Sequence, residues 1–150
     1  MGKGLTRLPA GPALVMIDTC CFIYHLQADA YPTQAPHVEE LFKKIERGDL
    51  LGLTSPITIA EIMTKPRQLG LDDVVYAYKL VLLNFPNLRI PPIDATVADK
   101  ASSLTARFGL KLPDALQIAL GLTHGASAFV TFDRDLRRVA PLIPVVAPGE

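Results

Sequence analysis

The sequence predicts an α/β domain built around a central, mostly parallel sheet. Short apolar runs alternate with helical patterns along the whole chain, which is typical of parallel strands joined by helices. Hydrophobic residues make up 49% of the 150 residues, enough for one domain to bury a core of its own. Since no repeat or linker interrupts the pattern, we expect one domain over residues 1–150, with residues 1–12 as a flexible N-terminal extension.

The predicted elements begin with a strand, two helices and a second strand. The apolar run in residues 13–18 predicts a strand, and the helical pattern after it predicts a helix over residues 19–26. An amphipathic pattern predicts a further helix over residues 37–48, which ends at Gly48. Residues 50–54 are a short apolar run and are predicted to form a buried strand.

Two more helices are predicted next. Ser55 and Pro56 make a favourable cap and first-turn pair for the first of them, which Pro66 is expected to end. The second covers residues 72–84 and carries two acids at its N-terminus, where the helix dipole favours negative charge.

The last part of the chain continues the alternation. Residues 88–93 predict a brief strand near an edge of the sheet, because their prolines cannot donate to a neighbouring strand. Asp94 caps a predicted helix that ends at Gly109, and residues 111–125 predict the most apolar helix of the chain. The remaining predicted elements are strands over residues 127–133 and 141–146, with a short helix over residues 133–139 between them.

Charge and cysteine content exclude several classes of protein. The 15 basic and 15 acidic residues balance, which argues against a strongly basic DNA-coating protein. No apolar run approaches the roughly 18 residues of a membrane-spanning helix, so no membrane partner is expected. Cys20 and Cys21 are adjacent within an apolar helical pattern, and they are predicted to be reduced core thiols of a cytoplasmic protein.

Four acidic residues are predicted to meet at one edge of the sheet. Asp18 and Asp133 end predicted strands, and Glu61 and Asp114 lie on helices that can reach the same edge. In open parallel sheets, ligands bind beyond the carboxyl ends of the strands. The helices that carry Glu61 and Asp114 are otherwise almost entirely apolar, so we expect each acid to face a buried partner or a polar cavity.

Each acid also has a purely structural explanation. Asp18 and Asp133 can cap helices, a contribution of about 1 kcal/mol. Glu61 can pair with Lys65 one turn later for roughly 0.3–0.5 kcal/mol, and Asp114 can complement a helix dipole. These explanations suffice for each acid taken singly, but four acids at one edge together indicate a shared site.

A shared acidic site predicts a bound divalent cation. Neighbouring buried carboxylates raise each other's pKa until one is protonated, and a cation removes this penalty. A donor set of carboxylate oxygens suits Mg²⁺ or Mn²⁺ rather than zinc. The histidines are scattered without zinc-ligand spacing, and neither a phosphate-binding glycine loop nor a serine-nucleophile motif is present.

Four stretches of the sequence resemble a known family. They are MIDTCCFIYHL, TSPITIAEIM, LKLPDALQIALGL and FVTFDRDL, which contain Asp18, Glu61, Asp114 and Asp133 respectively. The sequence resembles the PIN-domain ribonucleases, and most closely the VapC-type toxins of bacterial and archaeal toxin–antitoxin pairs. The resemblance implies an α/β/α sandwich with a pocket in which these four acids are catalytic and bind Mg²⁺ or Mn²⁺.

Residues beside these acids also bear on the resemblance. Thr19 and Thr131 match hydroxyl residues of the family pattern. Phe132 departs from it, because the family often has a polar residue such as asparagine there, and this change can alter how Asp133 is oriented. Asp135 is a possible fifth member of the site, ranked below Asp133 because a residue two positions further on should point elsewhere.

The function implied is that of a metal-dependent endoribonuclease which acts as a toxin and leaves a 5′-phosphate and a 3′-hydroxyl. Asp18, Asp114 and Asp133 would hold the metal, while Glu61 would hold it through water or orient the attacking water. Two alternatives stay open from the sequence: a PIN-fold nuclease of RNA maturation, and a non-catalytic module that binds RNA or protein.

The implied partners are an RNA substrate, a cognate antitoxin and a second copy of the chain. The apolar stretches FIYHL and VVYAYKLVLLN hold more large side chains than one buried face needs, which predicts a dimer or antitoxin surface. Ordinary core packing would also explain them. Cations must surround an acidic pocket that binds RNA, and the candidates are Lys65, Arg67, Lys111, Arg134 and Arg137.

Overall fold

The computed structural model describes residues 12–150, which contain a sheet of five parallel strands. The strands are β1 (Ala13–Ile17), β2 (Leu50–Leu53), β3 (Leu88–Arg89), β4 (Ala128–Val130) and β5 (Val145–Val146). They lie in the order β3–β2–β1–β4–β5, and every neighbouring pair is parallel. The predicted parallel sheet is confirmed, and β3 lies at an edge, as predicted from Pro91 and Pro92, which follow it.

Helices cover both faces of the sheet. They are α1 (Thr19–Leu26), α2 (Ala35–Arg47), α3 (Pro56–Gln68), α4 (Asp72–Asn84), α5 (Ala95–Phe108) and α6 (Leu112–Thr123), with 3-10 helices at Ala28–Ala30 and Arg134–Val139. One core joins β1 to residues of α1, α2, α3 and α4, and a second joins β1 to α5 and α6. The predicted α/β/α sandwich is therefore confirmed.

Strand β1 takes part in both cores. Val15 and Ile17 are fully buried on the side of α1 to α4, and Met16 is fully buried against α5 and α6. A parallel strand covered on both faces needs a continuous apolar run, which the residues ALVMI supply. Because Ile17 is the last residue of the strand, Asp18 is placed at the carboxyl edge of the sheet.

Predicted helix ends are confirmed at several positions. The Ser55 hydroxyl accepts a hydrogen bond from the Ile57 N–H at 3.1 Å, and the Asp94 carboxylate accepts one from the Val97 N–H at 3.0 Å. Gly109 ends α5 in the left-handed region, with a φ of 67°. These local signals fix where α3 and α5 begin and where α5 ends.

The prediction that Pro66 ends the third helix is wrong. Helix α3 continues to Gln68, and Pro66 is buried within its final turns. A proline lacks only its own N–H, and the residues after it still donate. Leu69 N–H donates to the Lys65 carbonyl at 3.1 Å, so the helix closes one more partial turn.

The later strands are shorter than predicted. The runs at residues 88–93, 127–133 and 141–146 contribute only two, three and two residues to the sheet. Pro91 and Pro144 have no N–H to donate, which limits strand pairing around them. The residues that follow Val130 leave the sheet and enter the candidate site.

The segment before β1 is described only at Pro12, so the predicted extension over residues 1–12 otherwise lies outside the described residues. Across residues 12–150, no helix is both long enough and apolar enough to cross a membrane.

Candidate functional site

Asp18 follows β1 and contacts the residue that follows the neighbouring strand β4. Its Oδ1 accepts a hydrogen bond from the Thr19 N–H at 2.8 Å, so Asp18 caps α1. Its Oδ2 accepts a hydrogen bond from the Thr131 hydroxyl at 2.7 Å, and Thr131 directly follows β4. Both interpretations of Asp18 therefore hold, because the same carboxylate caps a helix and lines a cavity.

Glu61 is brought to Asp18 by the residue that follows Asp18. Glu61 lies on α3 with an exposed side chain, and its Oε1 accepts a hydrogen bond from the Thr19 hydroxyl at 2.7 Å. Thr19 therefore links the first turn of α1 to α3. This contact orients a side chain that would otherwise be free to rotate in solvent.

A buried polar cluster made of Thr19, Thr54, Ser55, Thr58 and Gln117 lies beneath these acids. The Thr58 hydroxyl is 2.9 Å from that of Thr19 and 2.8 Å from that of Thr54. The Gln117 amide donates to Thr58 at 3.1 Å and to Thr19 at 3.3 Å, and its carbonyl accepts from Ser55. Because all five side chains are buried, the cluster fixes α1, α3 and α6 relative to each other.

The other two acids, Asp114 and Asp133, lie at the N-termini of two helices that pack in the second core. Asp114 is half-buried in the first turn of α6. Asp133 is exposed; its Oδ1 accepts a hydrogen bond from the Asp135 N–H at 3.0 Å, and it caps the 3-10 helix Arg134–Val139. The Asp133 N–H donates to the Thr131 hydroxyl at 3.0 Å, so Thr131 positions both Asp18 and Asp133.

All four predicted acids line one open cavity of about 410 Å³, here called the acidic cavity. Among the described residues, no lysine or arginine lines it. The ion pairs between arginine and carboxylate seen within residues 12–150 lie elsewhere and join Arg47 to Asp49 and Arg137 to Glu150. The four carboxylates therefore share one space without a basic side chain to balance them.

The pKa of Asp18 reflects this arrangement. Burial raises it above its ordinary value, and the negative charges of Glu61 and Asp133 raise it further. The hydrogen bonds from Thr131 and from the Thr19 N–H lower it, but they do not cancel the effect of burial. The carboxylate is thus held in place in a setting that disfavours its charge.

The pKa of Asp114 is also raised above its ordinary value. Burial raises its pKa, and the charges of Asp18, Asp133 and Glu61 add to the rise, while Lys111 opposes it. Since the charges of Glu61 and Asp133 raise the pKa of both Asp18 and Asp114, the four acids form one electrostatic unit. A cation in the cavity would reverse these effects.

The donor atoms fit a hard divalent cation, although they do not yet form a coordination sphere. Among residues 12–150, no three His, Cys, Asp or Glu side chains converge closely enough to hold a metal ion as they stand. The four acids facing the cavity nevertheless offer only carboxylate oxygens, the ligands that Mg²⁺ and Mn²⁺ prefer. Glu61 and Asp133 are exposed, so each can adjust toward an ion without disturbing the core, while one hydrogen bond keeps each carboxylate beside the cavity.

The prediction that both cysteines are core thiols is confirmed for Cys21, whereas Cys20 is only half-buried against the first core and also lines the acidic cavity. Both are free, and Cys21 is fully buried. Cys20 lines the acidic cavity, with its Sγ 3.9 Å from both Asp18 Oδ2 and the Thr131 hydroxyl. Consecutive helical residues point about 100° apart, and in α1 this rotation turns Cys20 toward the cavity while Cys21 faces the first core.

Two residues beside Asp133 differ in their relation to the site. Phe132 lines the acidic cavity and packs edge-on against Tyr24, with 5.1 Å between the ring centroids. Asp135 is exposed and is not among the described residues that line this cavity. The lower rank given to Asp135 agrees with this placement.

The five predicted basic residues are all exposed, and none of them lines the acidic cavity. Arg134 and Arg137 line a neighbouring cavity, which also contains Thr131 and Phe132. Sequence reasoning placed these two arginines near the site but could not separate them from Lys65, Arg67 and Lys111.

Comparison with known proteins identifies the family. A family model described as PIN domain matches residues 15–142, which include all four acids. None of the curated proteins compared with the chain matches it.

Solved structures share the fold. VapBC2 from Rickettsia felis, bound to a DNA fragment from its promoter, aligns with a TM-score of 0.67 and 18% identity over 89% of this chain and 98% of that one. VapC20 from Mycobacterium tuberculosis, a sarcin-ricin loop cleaving toxin, aligns with a TM-score of 0.68 and 17% identity over 89% and 99%. A toxin–antitoxin complex from Klebsiella pneumoniae aligns with a TM-score of 0.64 and 22% identity over 92% and 98%.

Proposed function

The chain belongs to the PIN domain family, and from this premise we propose that it is a Mg²⁺- or Mn²⁺-dependent endoribonuclease. The observation that carries the proposal is the acidic cavity, which Asp18, Glu61, Asp114 and Asp133 line together. A protein that only bound RNA would gain nothing from four carboxylates facing one space, because they repel phosphate. Hydrolysis of a phosphodiester with a bound cation explains them.

In this proposal the four acids have two different roles, metal binding and positioning of water. A bound Mg²⁺ or Mn²⁺ lowers the pKa of a water molecule and neutralises charge on the phosphate. Asp18, Asp114 and Asp133 would hold the ion, and Asp18 is the best positioned because both of its oxygens already accept hydrogen bonds. Glu61, oriented by Thr19, would hold the ion through water or orient the water that attacks the phosphorus. The products would be a 5′-phosphate and a 3′-hydroxyl.

The shape of the cavity supports single-stranded or looped RNA as the substrate. The cavity is open, so a strand can lay its backbone across it. Tyr24 and Phe132 line it and offer aromatic rings beside the acids. Unpaired bases stack on such rings, whereas a regular duplex keeps its bases inside. Because Cys20 and Cys21 are both free thiols, we propose that the protein acts on RNA in the cytoplasm.

RNA cleavage by wild type and by Asp18→Asn tests the proposal. With Mn²⁺ or Mg²⁺, we expect wild type to cut RNA and the variant to be slower by about a hundredfold or more. Asp49→Asn is the matched control, because Asp49 is exposed, pairs with Arg47 and precedes β2 at the opposite edge of the sheet. If Asp18→Asn cuts as fast as wild type, the proposal is wrong.

We further propose that the nuclease is the toxin of a toxin–antitoxin pair. The support is the shared fold with VapBC2, VapC20 and the Klebsiella complex. A cognate antitoxin would insert a basic side chain into the acidic cavity, which lacks a basic residue of its own among those described. Growth arrest on expression, relieved by the product of a small upstream gene, would support this role; normal growth would favour a nuclease of RNA maturation.

We also propose that the protein forms a homodimer through an exposed face of α4. Tyr76, Leu80 and Leu83 follow helical spacing along one face of α4 and are 65%, 47% and 62% exposed. Isolated exposed apolar residues are ordinary, but a stripe of three on one helix indicates a contact surface. The stretch FIYHL, by contrast, is buried or half-buried against the first core, so ordinary packing explains it.

A further inference from the structure

A second cavity lies beside the acidic cavity and has the opposite charge. It has a volume of about 310 Å³, and its lining includes Arg134, Arg137 and Glu150; we call it the basic groove. Phe132 lines both cavities, so one aromatic ring separates them. Thr131 also lines the basic groove, while its hydroxyl donates to Asp18 in the acidic cavity. The two cavities are therefore adjacent along a single short segment.

An anion already occupies the basic groove. Glu150 Oε2 is 2.5 Å from Arg137 Nη2, and Glu150 Oε1 accepts a hydrogen bond from the Ala147 N–H at 2.8 Å. The pKa of Glu150 is lowered, first by the hydrogen bond from Arg137 and then by the Ala147 N–H, with a contribution from the charge of Arg134. The groove thus presents a guanidinium, a second positive charge and a backbone N–H to one carboxylate.

We propose that the basic groove is a second phosphate subsite for the RNA strand, and that the Glu150 carboxylate occupies the phosphate position in the free protein. This inference rests on the proposed ribonuclease function and adds a substrate contact to it. A strand whose scissile phosphate lies among the acids would pass over Phe132 and place a neighbouring phosphate against Arg137. The positive charge then lies where it attracts RNA without neutralising the acids that hold the metal.

The Arg137–Glu150 pair is suited to being displaced. Its side chains are 45% and 38% exposed, and exposed ion pairs contribute little to stability. A backbone phosphodiester, like a carboxylate, carries one negative charge on two free oxygens, so the arginine fork can bind it in the same two-point geometry. Glu150 therefore acts as a weak competitor that RNA must displace, so removing its charge should strengthen RNA binding.

Binding of a short, labelled, single-stranded oligoribonucleotide of mixed sequence tests the inference. Fluorescence anisotropy in EDTA measures affinity without cleavage. We expect Glu150→Gln to lower the Kd about two- to fivefold. Arg137→Ala should raise the Kd and reduce the slope of log K against log salt by about 0.7. The double variant should lose the gain of Glu150→Gln, because the carboxylate acts only through Arg137.

Arg47→Ala and Asp49→Asn are the matched controls, since they remove an exposed ion pair of the same kind at the opposite edge of the sheet. If Glu150→Gln and Arg137→Ala bind RNA like these controls, or if wild type binds no RNA, the subsite is overturned. A lower unfolding temperature for Glu150→Gln with unchanged RNA affinity would also overturn it, and would leave Glu150 as a structural anchor. Because the assay contains no metal, loss of the subsite is distinguishable from loss of the nuclease activity.

Discussion

The Thr131 hydroxyl donates a hydrogen bond of 2.7 Å to Asp18 Oδ2, although the two residues are 113 positions apart in the chain. The same hydroxyl accepts from the Asp133 N–H at 3.0 Å. One buried side chain thus connects the carboxyl end of β1 to that of β4 and sets the position of two candidate metal ligands. The placement of Asp18 and Asp133 in the site therefore depends on the Thr131 hydroxyl.

Replacing Thr131 with valine keeps its shape and removes both hydrogen bonds. We expect RNA cleavage to fall about ten- to a hundredfold, because residues that orient metal ligands have effects of that size. Thr131→Ser, which keeps the hydroxyl, should restore most of the activity. Thr123→Val is the control, since the Thr123 hydroxyl donates only to the Ala119 carbonyl of its own helix. Unchanged kcat/KM in Thr131→Val would show that Asp18 needs no such support.

The metal-free protein should lose stability as the pH rises through the titration of Asp18. Its folded pKa is raised above the ordinary value of 3.8, so in that pH window the folded state holds a proton that the unfolded chain has released. The contribution of Asp18 to the free energy of unfolding therefore falls from about pH 3.8 up to the folded pKa and is then level. This is the reverse of the usual behaviour of a salt-bridged aspartate.

Asp18→Asn removes this titration and the repulsion from Glu61 and Asp133. We expect the variant to unfold at a higher temperature than wild type in EDTA at neutral pH, and the difference to shrink as the pH is lowered. Calorimetry across the pH range makes the measurement. Added Mn²⁺ should stabilise wild type more than the variant. A variant less stable than wild type at neutral pH would mean that the capping role of Asp18 outweighs its electrostatic cost.

The buried polar cluster is expected to contribute measurably to stability through Gln117. Gln117→Leu keeps the volume but removes two donated hydrogen bonds and the acceptor for Ser55. The groups left unpaired should lower the free energy of unfolding by about 1–3 kcal/mol, measured by urea denaturation. Gln68→Leu, at an exposed position on α3, should stay within roughly 0.5 kcal/mol of wild type. Equal effects of both changes would contradict the role of the cluster.

The apolar stripe on α4 predicts the oligomeric state. Leu83→Glu places a charge at its most exposed leucine and should convert a dimer into a monomer without lowering the unfolding temperature of the monomer. Sedimentation equilibrium distinguishes the two states. Leu142→Glu, a change at an exposed leucine outside α4, should leave the dimer intact. A wild-type protein that is monomeric at high concentration would rule out the proposed interface.

The positions of the four acids followed from periodicity, because strand ends and helix starts at one edge of a parallel sheet converge whatever the details of packing. The contacts between them could not be predicted in that way. The link from Thr19 to Glu61 depends on the angle between α1 and α3, and the placement of Gln117 depends on how α6 packs on the sheet. Single-sequence patterns carry no information on such angles.

Local rules failed where tertiary packing outweighed them. Pro66 does not end α3, because the following residues still donate and its ring is buried. Cys20 was predicted to lie in the core like its neighbour Cys21, but it is only half-buried and also lines the acidic cavity. The basic groove also could not be predicted from the sequence. Its defining contact joins Arg137 to Glu150, and no sequence motif describes the turn between them.

A single site for a divalent cation, formed by Asp18, Glu61, Asp114 and Asp133, should be detectable by calorimetric titration of the protein with Mn²⁺. We expect binding below the millimolar range in wild type, about tenfold or more weaker in Asp18→Asn and in Asp114→Asn. Affinity should be unchanged in Asp94→Asn, where the aspartate only caps α5. Absence of binding at millimolar Mn²⁺, or equal affinity in all four proteins, would contradict the proposal of a single site.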